Sequence, residues 1–181
     1  MLAEYACMNL IAAVLLQILT VGPLAPFNSA TVQQLHPTIV AHLPAEGIIT
    51  SIFGVRYHPV LRFHRQHQGI DIANKYASLI YAAAAGRIRR IGFQGGYGLM
   101  VEIDHGNGWQ SRYAHLASTS LKAGDYVWSG AIIGRMGASG VATGSHLHFE
   151  LRFQGHSIDP IPYLEALYPK NTVILAKNDG L

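Results

Sequence analysis

Residues 99–116 read Leu99-Met100-Val101-Glu102-Ile103-Asp104-His105-Gly106-Asn107-Gly108-Trp109-Gln110-Ser111-Arg112-Tyr113-Ala114-His115-Leu116. The first six are apolar-rich and partly β-branched, as a half-buried strand requires. His105 to Gly108 is turn chemistry, because Asn and Gly accept the positive φ of a tight hairpin. Trp109 to Ala114 then returns, so the stretch predicts an antiparallel hairpin. The same grammar of short runs broken by glycine holds from Ile48 onward. Ile80 to Ala84 and Gly86 to Phe93 read as strands. Tyr126 to Trp128 and Ala131 to Met136 read as a pair turning at Ser129-Gly130. His146 to Phe153 runs through Gln154-Gly155 into His156 to Ile158. Asp159-Pro160 then reads as the start of a short C-terminal helix, Ile161 to Tyr168, stopped by Pro169. The prediction is an all-β, mainly antiparallel domain over residues 48–168.

Around it, residues 1–30 read as a signal peptide or membrane anchor, with an N-terminal apolar helix. The run Leu10 to Val21 is shorter than the ~20 residues of a comfortable span and suits the apolar stretch of a secretory signal. Glu4 is the only charge before it. Residues 31–47, with Pro37 and Pro44, read as linker or cover, and residues 169–181 as a tail. The chain has 181 residues, half of them hydrophobic, which is ample for a core. The net charge of +3 is mild, and no basic cluster goes beyond Arg87, Arg89 and Arg90, so no nucleic-acid partner is expected. Cys7 is the single cysteine, which rules out an internal disulfide and any cysteine-based zinc knuckle. A bound transition metal would have to use the ten histidines and the carboxylates.

Those histidines fall in patterned places. In Gly144-Ser145-His146-Leu147-His148-Phe149-Glu150, read as a strand, His146, His148 and Glu150 share one face while Leu147 and Phe149 serve the core. In His67-Gln68-Gly69-Ile70-Asp71-Ile72-Ala73, an extended reading puts His67, Gly69 and Asp71 on one face, with Gly69 leaving room between two ligand-type side chains. His67, Asp71 and His148 then supply three N/O ligands, which is the catalytic rather than the structural arrangement for zinc. His115, in Tyr113-Ala114-His115-Leu116, adds a further imidazole.

With Phe53-Gly54-Val55-Arg56-Tyr57-His58-Pro59 before them, and Gly140 to Glu150 closing the series, these ordered motifs resemble the lysostaphin-type (LytM-like) zinc metalloendopeptidases, which cleave peptide cross-links of bacterial peptidoglycan. The resemblance covers about residues 50–164. It implies a two-sheet antiparallel β core with a groove, one Zn2+ ion held by His67, Asp71 and His148, and His115 and His146 as the catalytic pair. It implies hydrolysis by metal-activated water, peptidoglycan peptide stems as the partner, and export to the periplasm or cell envelope. Arg56 binds a substrate carboxylate or braces the groove. The chain departs from the family pattern at residues 74–79 and at Ser145, both in loops and neither a ligand.

Two other readings compete. Some relatives of this fold activate another wall hydrolase without cutting anything themselves, but they lack metal ligands, and all five positions are present here. A lipoyl-type carrier hairpin over residues 121–134 would need a lysine at the turn, where Ser129-Gly130 stand. His36, His42, His58, His64 and His156 read as solvated or locally bonded, and His105 as part of its turn. Tyr97, Tyr113 and Trp109 read as core or groove wall.

Overall fold

The structure, a computed structural model, describes residues 39–58, 63–165 and 167, with the side chains of residues 56–58 and 63–65 not among them. The expected N-terminal apolar helix, the signal or anchor segment and the C-terminal tail lie outside the described residues.

The hairpin forms as its sequence dictates, but tighter. Strand β7 (Leu99–Gly106) and β8 (Trp109–Ser118) are joined by Asn107-Gly108 alone, with φ of 51° and 83°. Both central residues at positive φ define a type I′ turn, whose twist matches that of the flanking strands. Gln154-Gly155, with φ of 49° and 83°, repeats the device between β11 (His146–Phe153) and β12 (His156–Ile158).

The other strands are β1 (Ile48–Ser51), β2 (Gly54–His58), β3 (Phe63–His67), β4 (Ile70–Ala73), β5 (Leu79–Tyr81), β6 (Gly86–Phe93), β9 (Tyr126–Val127) and β10 (Ile132–Met136). The main sheet runs β1-β4-β11-β8-β7-β6-β9, with β12 on β11 and with β10 joining β8 to β5. Strands β2 and β3 form a separate small sheet, and all these pairings are antiparallel. The all-β prediction therefore stands.

Three details differ from expectation. Tyr126 to Trp128 and Ala131 to Met136 do not pair with each other: β9 joins β6, and β10 joins β5 and β8. The stretch His67 to Ala73 is not one strand, because the chain leaves β3 at His67 and re-enters the main sheet at Ile70. The final helix, α1 (Ile161–Leu164), is a single turn, and the Asp159 carboxylate just before it accepts the Ile161 N–H at 3.0 Å.

Strand β11 is central and covered on both faces. Leu147, Phe149 and Leu151 enter the core with Ile70, Ile72, Ile103, Tyr113, Leu116 and Met136, while His148 and Glu150 are buried on the opposite face. Of the expected cover segment, Val40 and Ala45 are also core residues, held by the Ala41 and His42 N–H groups on the Ala83 carbonyl.

Candidate metal centre

Register builds the site. Antiparallel pairing sets His148 of β11 directly opposite Asp71 of β4, and His146 opposite Ala73. His67 closes the group from the end of β3. His67 Nε2 lies 3.1 Å from Asp71 Oδ1 and 3.1 Å from His148 Nδ1, and His148 Nδ1 lies 2.8 Å from Asp71 Oδ1. Among the described residues, these three form the cluster whose ligand atoms are close enough to share a metal ion.

Their outward nitrogens decide what faces inward. His67 Nδ1 lies 2.7 Å from the Ile52 carbonyl, which can only accept, so that nitrogen carries the hydrogen. His148 Nε2 lies 3.3 Å from Glu150 Oε1, a carboxylate that likewise accepts. In their neutral forms both imidazoles then turn a lone pair toward Asp71 Oδ1. Three acceptors about 3 Å apart repel one another unless a positive charge stands among them. Without an ion, a proton serves: burial alone would lower His148, but hydrogen bonds to Asp71 and Glu150 win and raise it above the usual histidine value. Burial would likewise raise Asp71, yet its bonds to His148 and His67 hold it well below the carboxylate range. Two imidazole nitrogens and a carboxylate oxygen, each imidazole tied outward to an acceptor, are the donor set and outer shell that suit zinc.

Two more imidazoles flank the triad. His146 Nδ1 lies 2.9 Å from the Gly144 carbonyl, and its Nε2 lies 3.9 Å from Asp71 Oδ1. His115 Nδ1 lies 2.7 Å from the Ser139 carbonyl, and the ring centres of His115 and His146 are 4.7 Å apart. Each ring thus spends its Nδ1–H on a carbonyl and keeps a basic Nε2. Burial pushes His115 below the usual value, so it is neutral at pH 7. His115 also holds φ +62°, a conformation that costs a non-glycine residue energy and that clusters at functional sites. Ser139 secures it further: its hydroxyl donates to the Leu116 carbonyl at 2.8 Å and accepts the Leu99 N–H at 2.9 Å.

The five histidine and aspartate positions singled out from sequence are therefore brought together. Arg56 lies on β2 opposite Arg65, and its side chain is outside the described residues. Sequence reasoning missed the groups behind His148: Tyr97 O–H donates to Glu150 Oε1 at 2.6 Å, and Arg112 and Arg152 donate to Glu150 Oε2 at 3.1 and 2.9 Å. His105 is more than part of a turn. It bridges the Ala85 carbonyl and the buried Ser111 hydroxyl, at 2.9 and 2.7 Å.

Comparison with known proteins follows the same lines. The pattern of peptidase family M23 matches residues 65–160. The chain is 43% identical over 113 residues to the DD-carboxypeptidase/endopeptidase Mpg of Neisseria meningitidis, an alignment covering 62% of this chain and 26% of that protein. It is 34% identical over 122 residues to the murein hydrolase activator NlpD of Escherichia coli, covering 67% of this chain and 30% of that protein. The crystal structure of a zinc-containing peptidase from Vibrio cholerae superimposes with a TM-score of 0.64 at 30% identity, covering 67% of this chain and 39% of that one. The chain thus spans about a quarter to a third of the length of these curated relatives.

Proposed function

The chain belongs to peptidase family M23, and from that premise we propose that it is a zinc-dependent endopeptidase that hydrolyses peptide cross-links of peptidoglycan. The observation that carries this reading is the convergence of His67 Nε2, Asp71 Oδ1 and His148 Nδ1 within 3.1 Å of one another, with His115 and His146 beside them.

When bound, zinc supplies a Lewis acid that acidifies water and polarises a carbonyl. His67, Asp71 and His148 would hold it. His115 and His146, each fixed in one tautomer by a backbone carbonyl, would supply the proton transfers: one Nε2 takes a proton from the attacking water and, as the imidazolium, passes it to the leaving amine. Peptidoglycan lies outside the cytoplasmic membrane, so this activity requires export; among the described residues no helix is long and apolar enough to cross a membrane.

The likeness to NlpD supports a second reading, a non-hydrolytic activator of another wall hydrolase. The test is mass spectrometry of defined cross-linked muropeptides incubated with the full chain. The endopeptidase reading expects cross-linked dimers to be split into stem peptides, stopped by a chelator and restored by zinc. Intact dimers with zinc-replete protein, together with stimulation of a separate hydrolase, would establish the activator instead.

A further inference from the structure

Glu150 has no exposed surface, and its carboxylate is saturated with donors. Oε1 accepts from Tyr97 O–H at 2.6 Å and from His148 Nε2–H at 3.3 Å, and Oε2 accepts from Arg152 Nη1 at 2.9 Å and from Arg112 Nη1 at 3.1 Å. We propose that Glu150 is the positioning residue of the metal centre: clamped by Tyr97, Arg112 and Arg152, its carboxylate holds the Nε2–H of His148 and so makes Nδ1 the nitrogen that faces the ion. This rests on the metal-centre reading above and adds to it the choice of ligand atom.

Strand geometry supplies the reach. Glu150 stands two residues beyond His148 on the same face of β11, where one imidazole edge meets the carboxylate and the other meets Asp71. A histidine ring can present either nitrogen, and the partner of the far nitrogen decides which. Here that partner cannot move aside. Arg112 also donates to Glu102 Oε2, through Nε at 3.2 Å and Nη2 at 2.9 Å, and Glu102 Oε1 accepts from Arg89 at 3.1 Å. The ladder Arg89–Glu102–Arg112–Glu150 crosses β6, β7, β8 and β11, so four strands fix the carboxylate. Tyr97 lies over it, its ring 5.0 Å from the Arg112 guanidinium carbon and 5.7 Å from the His148 ring. Three guanidinium groups face two carboxylates, and these donors hold Glu150 where it accepts the imidazole hydrogen.

The test uses the full chain as wild type, Glu150→Gln and Glu150→Leu. Zinc affinity is measured by competition with a chromophoric chelator, and the His148 tautomer by long-range proton–nitrogen NMR of the zinc-loaded protein. Glu150→Leu is expected to bind zinc about 10–100-fold more weakly and to lose the single Nε2–H tautomer. Glu150→Gln keeps an oxygen acceptor and is expected to retain the tautomer, with intermediate affinity. Wild-type affinity and tautomer in a folded Glu150→Leu protein would overturn the proposal. If that variant does not fold, wild type still decides: an Nδ1–H tautomer at His148 overturns the proposal and an Nε2–H tautomer upholds it. A wild-type chain that takes up no zinc removes the metal-centre reading and this proposal with it.

Discussion

A histidine whose one nitrogen is tied to an acceptor has a single neutral form, and the four histidines of the site are tied that way. His67 uses the Ile52 carbonyl, His115 that of Ser139, His146 that of Gly144, and His148 the Glu150 carboxylate. The histidines themselves were legible in the sequence, because alternation along a strand puts His146 and His148 on one face and short motifs mark His67, Asp71 and His115. Three of the four partners were not, since a backbone carbonyl has no letter of its own and only the fold says which one a ring will meet. The proposed division between ligands and flanking imidazoles has a direct consequence. His148→Ala and Asp71→Ala should lose zinc and hydrolysis together. His115→Ala and His146→Ala should keep zinc while turnover falls by about 10²–10⁴-fold, the usual size of an acid–base contribution. Metal analysis beside muropeptide hydrolysis reads both, and a His146→Ala protein without zinc would reassign that residue as a ligand.

At the level of elements, strands with strong turn chemistry were readable and long-range pairings were not. Gly106, Asn107, Gly155 and their neighbours announce hairpins, whereas β9 turns away from β10 to join β6 three strands earlier in the chain. Register also explains how His67 and Asp71 meet although they lie on different strands: the step at Gln68-Gly69 swings the chain from the small sheet into the main one. Gly69 is needed there for a reason other than room between ligands. A Cβ at this position would collide with the Phe149 carbonyl of β11, a backbone atom with little freedom to yield. Gly69→Ala should therefore push β4 off β11 where the Asp71–His148 register is set, cost roughly 1–3 kcal/mol as overpacking does, and weaken zinc binding. Urea unfolding and zinc titration of the variant check this, and wild-type values in both would show that the β4–β11 contact yields to an added methyl group.

Among the described residues, two connected sets of polar side chains sit inside the sheet system. One is the ionic ladder behind His148, whose members at 89, 102, 112, 150 and 152 are scattered along the sequence and read singly as solvated charges; only four-strand pairing joins them. Burial would raise Glu150, but its bonds with His148 and Tyr97 and the nearby guanidinium groups hold it at about 2. The other set lies on the core side: the Ala85 carbonyl, His105, Ser111 and Tyr113, where Ser111 Oγ and the Tyr113 hydroxyl share a bond of 2.9 Å and that hydroxyl accepts the Ala83 N–H at 2.8 Å.

The second set gives a pH dependence separable from metal binding. With Nδ1–H on the Ala85 carbonyl, neutral His105 accepts the Ser111 hydroxyl through Nε2, and burial lowers its pKa below the ordinary histidine value despite the help of that carbonyl and of Asp104. The unfolded chain therefore binds a proton at His105 more readily than the folded one. Linkage then requires that the contribution be present above the unfolded pKa of about 6.5 and be lost as pH falls toward the depressed folded value. His148 opposes this in the metal-free protein, because its raised pKa favours the folded state below the same point, and His115, lowered by burial, acts in the same direction as His105, so the wild-type profile alone mixes the three. The difference between wild type and His105→Asn isolates the buried set. The shorter side chain leaves Ser111 or the Ala85 carbonyl unpartnered, which should cost about 1–3 kcal/mol near neutral pH. That deficit should shrink as the pH is lowered from about 7.5 to about 5, because wild type loses its advantage and the variant has none to lose. Urea unfolding of both proteins in chelator across this range measures it, and a deficit constant with pH would mean that His105 does not titrate with folding.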